Sequence, residues 1–266
     1  MSTKWDPTQY AKFAYERNRP FHELIARVRV ENPATVVDLG CGNGPLTLEL
    51  AARWPLARVV GVDSSPQMIE AARALDVEHR VEWVEADART WDLGSLGVAA
   101  DVLVSNATLQ WIPNHLALVE AWAAQVAPGG ALALQVPGNF DAPTHRLMRE
   151  VARTHPRVGE LEAALKRGGS AGPSTYLKVL ARAGLAVDAW ETTYLHILDP
   201  EAAQDNPVLE WVTGTGLRPI LDTLAEGSER DRFLTPYAAA LREAYPRTAA
   251  GVILPFRRVF AVGHRA

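Results

Sequence analysis

Val36-Val37-Asp38-Leu39-Gly40-Cys41-Gly42-Asn43-Gly44 is an apolar run that breaks into three glycines at alternate positions. The branched residues at its start favour a buried strand. The glycines permit a tight turn and a close approach of backbone to a ligand, where a Cβ would collide. Behind them Pro45-Leu46-Thr47-Leu48-Glu49-Leu50-Ala51 reads as a helix with proline at its first position. Strand, glycine turn and helix in that order open a nucleotide-binding βαβ unit. The next apolar run ends on Asp63, about 20 residues on, the spacing at which a carboxylate meets ribose hydroxyls. Together these features imply an adenosine-containing cofactor. Taken singly, a glycine turn can be only a turn, and an Asp can merely cap a strand.

Working outward, short apolar runs alternate with helical patterns. Strands are expected over residues 35–39, 58–63, 81–85, 101–105 and 131–136, nearly continuous in Val, Leu and Ala. Such runs suit parallel strands buried on both faces. Ser65-Pro66 starts a helix, and residues 113–126 form another that ends before Pro128-Gly129-Gly130. Further helices are expected over 144–153, 160–167 and 174–183, the last capped by Ser174 and ended by Gly184. Residues 187–198 and 256–264 read as two more strands, with a helical excursion over 199–245 between them. The fold class is α/β, a doubly wound, mostly parallel seven-stranded sheet with helical embellishments roofing the ligand crevice.

The 266 residues suit one large domain, and 48% hydrophobic with 22% charged residues describes an ordinary globule. A net charge of −4 implies no general nucleic-acid surface. One cysteine, Cys41, gives neither an intramolecular disulfide nor a zinc cluster, and the seven histidines show no metal-ligand spacing. The polar start Met1-Ser2-Thr3-Lys4-Trp5-Asp6 lacks the apolar core of a signal peptide, and no apolar run reaches the ~18 residues a membrane span needs. The expectation is a cytoplasmic protein without membrane partners.

The glycine spacing narrows the nucleotide. Gly-x-Gly-x-Gly departs from the Gly-x-Gly-x-x-Gly of dinucleotide sites, and Pro45 removes an N–H that a pyrophosphate would use. A donor without phosphates, touching the loop with a sulfonium and an amino-acid end, fits better, with Asp38 anchoring its ammonium. In Glu85-Ala86-Asp87-Ala88, Asp87 can accept from an adenine amino group; a solvated loop acid is the bland alternative. Ser105-Asn106-Ala107-Thr108-Leu109-Gln110-Trp111 follows the fourth strand and sets polar and aromatic groups beside the first loop. The different-class alternative is an NAD-dependent oxidoreductase, whose longer glycine spacing is absent.

The run 36–44 with Asp63, Asp87 and Asn106-Ala107 resembles class I S-adenosylmethionine-dependent methyltransferases. Trp5-Asp6-Pro7, Tyr10, Phe13, Glu16-Arg17, Arg19-Pro20, Asp63-Ser64-Ser65-Pro66-Gln67-Met68, Leu109-Gln110-Trp111, Pro143-Thr144-His145-Arg146-Leu147-Met148, Thr192-Thr193-Tyr194 and Trp211-Val212-Thr213-Gly214-Thr215-Gly216-Leu217-Arg218-Pro219 resemble the trans-aconitate methyltransferases among them. That resemblance implies a Rossmann-like sheet closed by an antiparallel strand, one domain over 1–266, a helical lid over 1–30 and a helical insertion over 199–250. It implies methyl transfer from S-adenosylmethionine to a carboxylate of a small tricarboxylic acid, leaving a monomethyl ester and S-adenosylhomocysteine; another small acceptor is the alternative.

The cofactor residues it implies are Asp38, Gly40, Gly42, Gly44, Asp63, Ser64, Met68, Asp87, Ala88, Asn106 and Trp111. The acid would meet Tyr10, Arg17, Arg19, His145, Tyr194, Thr213, Gly214, Thr215 and Arg218, because arginine pairs bidentately with carboxylates. Arg257 and Arg258 open the last strand, with alternation turning one to each sheet face. No catalytic base is expected, since a carboxylate with pKa near ~4 is already ionised at neutral pH, and no metal, since the histidines lack ligand spacing.

Overall fold

The computed structural model describes residues 14–166 and 169–266. Its helices are α1 (Ala14–Ile25), α2 (Pro45–Arg53), α3 (Pro66–Leu75), α4 (His115–Ala124), α5 (Pro143–Thr154), α6 (Val158–Leu165), α7 (Pro173–Arg182), α8 (Pro207–Thr213), α9 (Arg218–Thr223) and α10 (Ser228–Ala244). Its strands are β1 (Thr35–Leu39), β2 (Arg58–Asp63), β3 (Val81–Glu85), β4 (Ala100–Asn106), β5 (Val126–Pro137), β6 (Ala186–Leu198), β7 (Arg247–Thr248) and β8 (Gly251–His264). They form one sheet in the order β3-β2-β1-β4-β5-β8-β6, with β7 paired to β8. The first five strands pair in parallel, and β8 runs antiparallel to β5. The doubly wound, mostly parallel sheet with a final antiparallel strand is thus observed. The strand beyond the expected seven is the two-residue β7.

Three boundaries differ from expectation. β5 begins at Val126, not 131, because a register shift between Ala100 and Val102 absorbs the Pro128-Gly129 irregularity, and α4 stops at Ala124. β8 begins at Gly251, not 256; a short hairpin pairs Thr248 with Gly251 and carries Pro255 inside the strand. Ser174 does not cap its helix: α7 starts at Pro173 with Gly172 as N-cap and no side-chain cap. Proline prefers that first position, which draws the start back by one residue. Ser65 does cap α3, accepting from the Met68 N–H at 3.4 Å, with Pro66 next to it.

The chain divides into two compact units. The first holds described residues 17–137, 169–191 and 258–266. All five residues of β1 are buried, as a central parallel strand requires. On one face of its sheet Val37, Leu39, Leu103, Leu132, Leu134 and Val259 pack with Val119, Trp122, Tyr176 and Leu180. Asp76 accepts from the Arg80 and Val81 N–H groups and from Trp83 Nε1 at 2.9–3.1 Å, fixing the turn into β3. The second unit holds described residues 14–16, 138–166 and 192–257. Its core joins Met148, Leu161, Trp211, Ile220, Phe233, Tyr237 and Leu241. Tyr237 donates its hydroxyl to the Thr144 carbonyl at 2.9 Å, and the Tyr245 hydroxyl accepts from the Thr144 N–H at 3.2 Å, tying α5 to α10.

Candidate functional site

The loop after β1 is held by its neighbours before any ligand is considered. The N–H groups of Gly40 and Cys41 both donate to the Val62 carbonyl, at 2.7 and 3.0 Å. Asp63 accepts from the Gly42 N–H through one oxygen and from the Ser65 N–H through the other, each at 2.9 Å. A carboxylate has about four lone-pair sites, so Asp63 can bind a sugar while it braces two loops.

Gly40, Gly42 and Gly44 have φ of 85°, 57° and 89°, the left-handed region. Close approach to a ligand is not the reason for all three. A Cβ on Gly40 would stand 2.2 Å from Thr108 Oγ1, and one on Gly44 2.6 Å from the Trp83 ring. Only at Gly42 is there nothing within 4 Å. The outer glycines answer to protein neighbours, and the middle one fronts open space that fits a ligand.

Asp38 is 3% exposed and accepts from Thr47 Oγ1 at 2.7 Å. Burial raises its pKa to about 6; the Thr47 hydrogen bond opposes the rise and the Asp63 charge adds to it. A buried, mostly ionised carboxylate calls for a cation, which suits an ammonium or sulfonium. The sign follows: protonation removes the attraction. S-adenosylmethionine affinity, measured by calorimetry, is expected to fall as pH drops through about 6 and to level above it. Affinity that stays flat between pH 5 and 8 would remove Asp38 from the site. Cys41 is buried, and burial with the Asp38 and Asp63 charges pushes its thiol far up, so it is a filler and no nucleophile.

Around this loop, Asp87 pairs with Arg89, whose side-chain hydrogen bonds hold the carboxyl below its ordinary range. An adenine amino group would therefore share Asp87 with Arg89. Ala88 is buried in the core, Ser64 is exposed, Met68 is half-buried, and Trp111 is 38% exposed on a 3-10 turn (Leu109–Trp111). Asn106 Oδ1 is buried without a hydrogen-bond partner among the described residues. Every expected cofactor residue lies in the first unit, at the carboxyl ends of β1 to β4. Thr47 and Thr108 were not foreseen. Thr47 holds Asp38, and Thr108 donates its hydroxyl toward the Gly40 and Asn106 carbonyls at 3.2 Å each. Their own segments carried no signal beyond a hydroxyl on the first turn behind each loop.

The expected acid-binding residues fare unevenly. Tyr10 lies outside the described residues, as does the side chain of Arg17. Arg19 sits in α1 with its side chain 59% exposed and pairs with Glu23 at 2.9 Å. His145 is half-buried, its ring against Phe140 at 5.3 Å, and burial, reinforced by Arg149, pushes its pKa down to about 4. A Cβ on Gly216 would come 3.1 Å from His145 Nε2, so the Thr-Gly-Thr-Gly turn packs on that ring. The Thr213 hydroxyl donates to the Leu209 carbonyl at 2.7 Å, and the N–H groups of Thr215 and Leu217 both donate to Val212. These groups close the end of α8, as helix termini must. Arg218, at the start of α9, keeps its side chain 24% exposed, with Asp222 at 3.8 Å. Tyr194 is buried and stacks toward His196. Among the described residues no group of three His, Cys, Asp or Glu is placed to hold a metal.

A family model described as a methyltransferase domain matches residues 36–130. The trans-aconitate 2-methyltransferase of Streptomyces avermitilis is 48% identical over 98% of this chain and 97% of its own. That of Rhodococcus jostii is 47% identical, covering 97% and 98%, and that of an Azoarcus strain 42%, covering 98% and 99%. Among solved structures, the YcgJ protein of a Bacillus superposes with a TM-score of 0.58 at 14% identity, covering 94% and 98%. A plantazolicin methyltransferase in complex with S-adenosylhomocysteine gives 0.51 at 14%, covering 98% and 91%. These likenesses in structure concern the fold.

Proposed function

Because the chain belongs to the trans-aconitate 2-methyltransferase family of class I S-adenosylmethionine-dependent methyltransferases, we propose that it esterifies one carboxylate of trans-aconitate or a similar tricarboxylic acid, leaving a monomethyl ester and S-adenosylhomocysteine. The observation that carries the acceptor is likeness over nearly the whole chain, including the segments outside the donor loops. Asp63 takes the ribose, Asp38 the amino-acid end and Asp87 the adenine; the open space at Gly42 and the orphaned Asn106 oxygen fit that group. When bound, S-adenosylmethionine supplies an electrophilic methyl on its sulfonium.

The protein then needs little acid–base chemistry. The acceptor carboxylate is ionised at neutral pH. His145, with its pKa near 4, is neutral there and contributes a hydrogen bond, not a charge. What the chain supplies is alignment and exclusion of water. Arg218, a largely shielded cation, holds a carboxylate that does not react. Residues 1–30 as a lid, 199–250 as an insertion and 1–266 as one working domain belong to the same reading, as does a cytoplasmic setting. No described helix is long and apolar enough to cross a membrane.

The test is incubation with labelled S-adenosylmethionine and a panel of di- and tricarboxylates, with esters identified by mass spectrometry. A monomethyl ester of a tricarboxylate is expected; a panel without any ester overturns the acceptor. In the same assay Arg218→Ala should raise the acid's KM by ~10-fold or more, the scale of a lost charge-assisted hydrogen bond, and leave the cofactor's within ~3-fold. Equal changes in both would remove Arg218 from the acid site.

A further inference from the structure

Gln135 is 1% exposed, and its Nε2 has no hydrogen-bond partner among the described residues. It interrupts an otherwise apolar stretch of β5, Ala131-Leu132-Ala133-Leu134 before it and Val136 behind. A buried amide donor left unmade is costly to the fold, which makes it a mark of function.

Register places it. Gln135 pairs with Asn106 of β4 on one side and with Phe260 of β8 on the other, and Pro137 pairs with Arg258. Paired residues share a sheet face, and so do alternate residues of a strand. Asn106, Gln135, Phe260 and Arg258 therefore line one face, while Leu134, Val136, Val259 and Ala261 take the other, in the core. The same face carries Asp38, whose β4 partner is Val104. Alternation thus singles out Arg258 over Arg257, and Arg258 is only 7% exposed. The diagonal step from Gln135 to Arg258 is ~7–8 Å between backbones, within reach of long side chains. A shielded cation and a shielded amide donor stand on one face, at the strand ends that carry the donor loops. Phe260, on that face, stacks on the Trp190 ring with centroids 4.8 Å apart.

We propose that Gln135 and Arg258 form a carboxylate-binding subsite that fixes a non-reacting carboxyl group of the acid. Both donate and neither accepts through the groups involved, so the chemistry of the pair suits a carboxylate where it does not suit an amine or a neutral ester. Asn106, an acceptor, serves the cofactor side of the same face. The inference rests on the polycarboxylate reading above.

Gln135→Leu in the full chain tests it, with the acid's KM, S-adenosylmethionine affinity by calorimetry and Tm all measured. The acid's KM should rise ~10-fold or more, with cofactor affinity within ~3-fold of wild type. Tm should hold or rise, because an unsatisfied buried amide is replaced by an apolar side chain of similar size. On a dicarboxylate that lacks the gripped carboxyl, the KM penalty should shrink below ~3-fold. Gln135→Glu should raise the acid's KM further than Gln135→Leu, by placing a like charge against it. An unchanged acid KM overturns the subsite, as does a fall in Tm with equal losses for acid and cofactor, which would mark Gln135 as structural. The wild-type arm separates the two readings. Wild type that makes no ester brings down the acceptor assignment and the subsite with it; wild type that makes ester while the variant keeps its KM brings down the subsite alone.

Discussion

Asp63→Ala is expected to weaken S-adenosylmethionine binding by ~100-fold or more in titration calorimetry. The side chain is asked to do two things. It accepts the Gly42 and Ser65 N–H groups, and so holds the first and second loops against each other. It also offers its remaining lone pairs to the ribose. Each abandoned donor costs about 1–3 kcal/mol, and loss of loop order adds to the lost sugar contact. Asp63→Asn, which keeps one acceptor oxygen, should fall between wild type and Asp63→Ala. An Asp63→Ala protein that binds the cofactor as tightly as wild type would end both assignments. Tm measured without cofactor separates them further: loop bracing predicts a lower value in the absence of any ligand, ribose binding alone predicts none.

Gly40→Ala should be the most damaging single methyl in the first unit. The backbone there has φ of 85°, and the new Cβ would lie 2.2 Å from Thr108 Oγ1 and 2.3 Å from Thr108 Cγ2. A left-handed non-glycine residue costs about 1–2 kcal/mol, and overpacking typically about 1–3 kcal/mol more. The expected result is a loss of about 2–5 kcal/mol of unfolding free energy in a denaturant titration. Adding Thr108→Ala removes Oγ1 and Cγ2 but leaves the Thr108 Cβ 2.7 Å away, so it should recover part of the overpacking share and none of the backbone share. Complete recovery would show that neither the dihedral angle nor the remaining Cβ contact costs anything here, and no recovery would show that Oγ1 and Cγ2 are not the obstacle. Gly42→Ala, which meets nothing within 4 Å, should spare stability far more and act chiefly on cofactor affinity.

The two substitutions also show which parts of this protein can be read from its sequence. β1 and β2 fall where their Val-rich runs, punctuated by glycine and acid, place them, because a central parallel strand buries both faces; β3, an edge strand, is legible by alternation instead, with Val81 and Trp83 buried and Glu82 and Glu85 exposed. β5 and β8 extend past their expected starts because Pro128-Gly129-Gly130 and Pro255 look like stops, and only pairing with neighbours reveals a bulge and a hairpin. The donor loop was legible because its chemistry is local. The reason for its glycines was not: Thr108 and Trp83 are remote in sequence and meet Gly40 and Gly44 only in the folded unit. The arginines illustrate the same limit. Arg19 and Arg258 look alike in sequence, yet one is an exposed helix partner of Glu23 and the other is buried on an interior strand of the sheet. Gln135 was overlooked because a single amide in an aliphatic strand changes neither its periodicity nor its hydrophobicity. Its orphaned nitrogen appears only when every neighbour is placed.

Asp38 carries a consequence for the reaction cycle. In the arrangement proposed above, Asp63, Asp87 and Asp38 would meet sugar, base and ammonium, which are identical in the fresh and the spent donor. Only the positive sulfur differs, and the longer-range attraction of the shielded Asp38 carboxylate is the one contribution there that favours the fresh donor. The spent nucleoside should linger as an inhibitor, and turnover in a cell would track how fast other enzymes remove it.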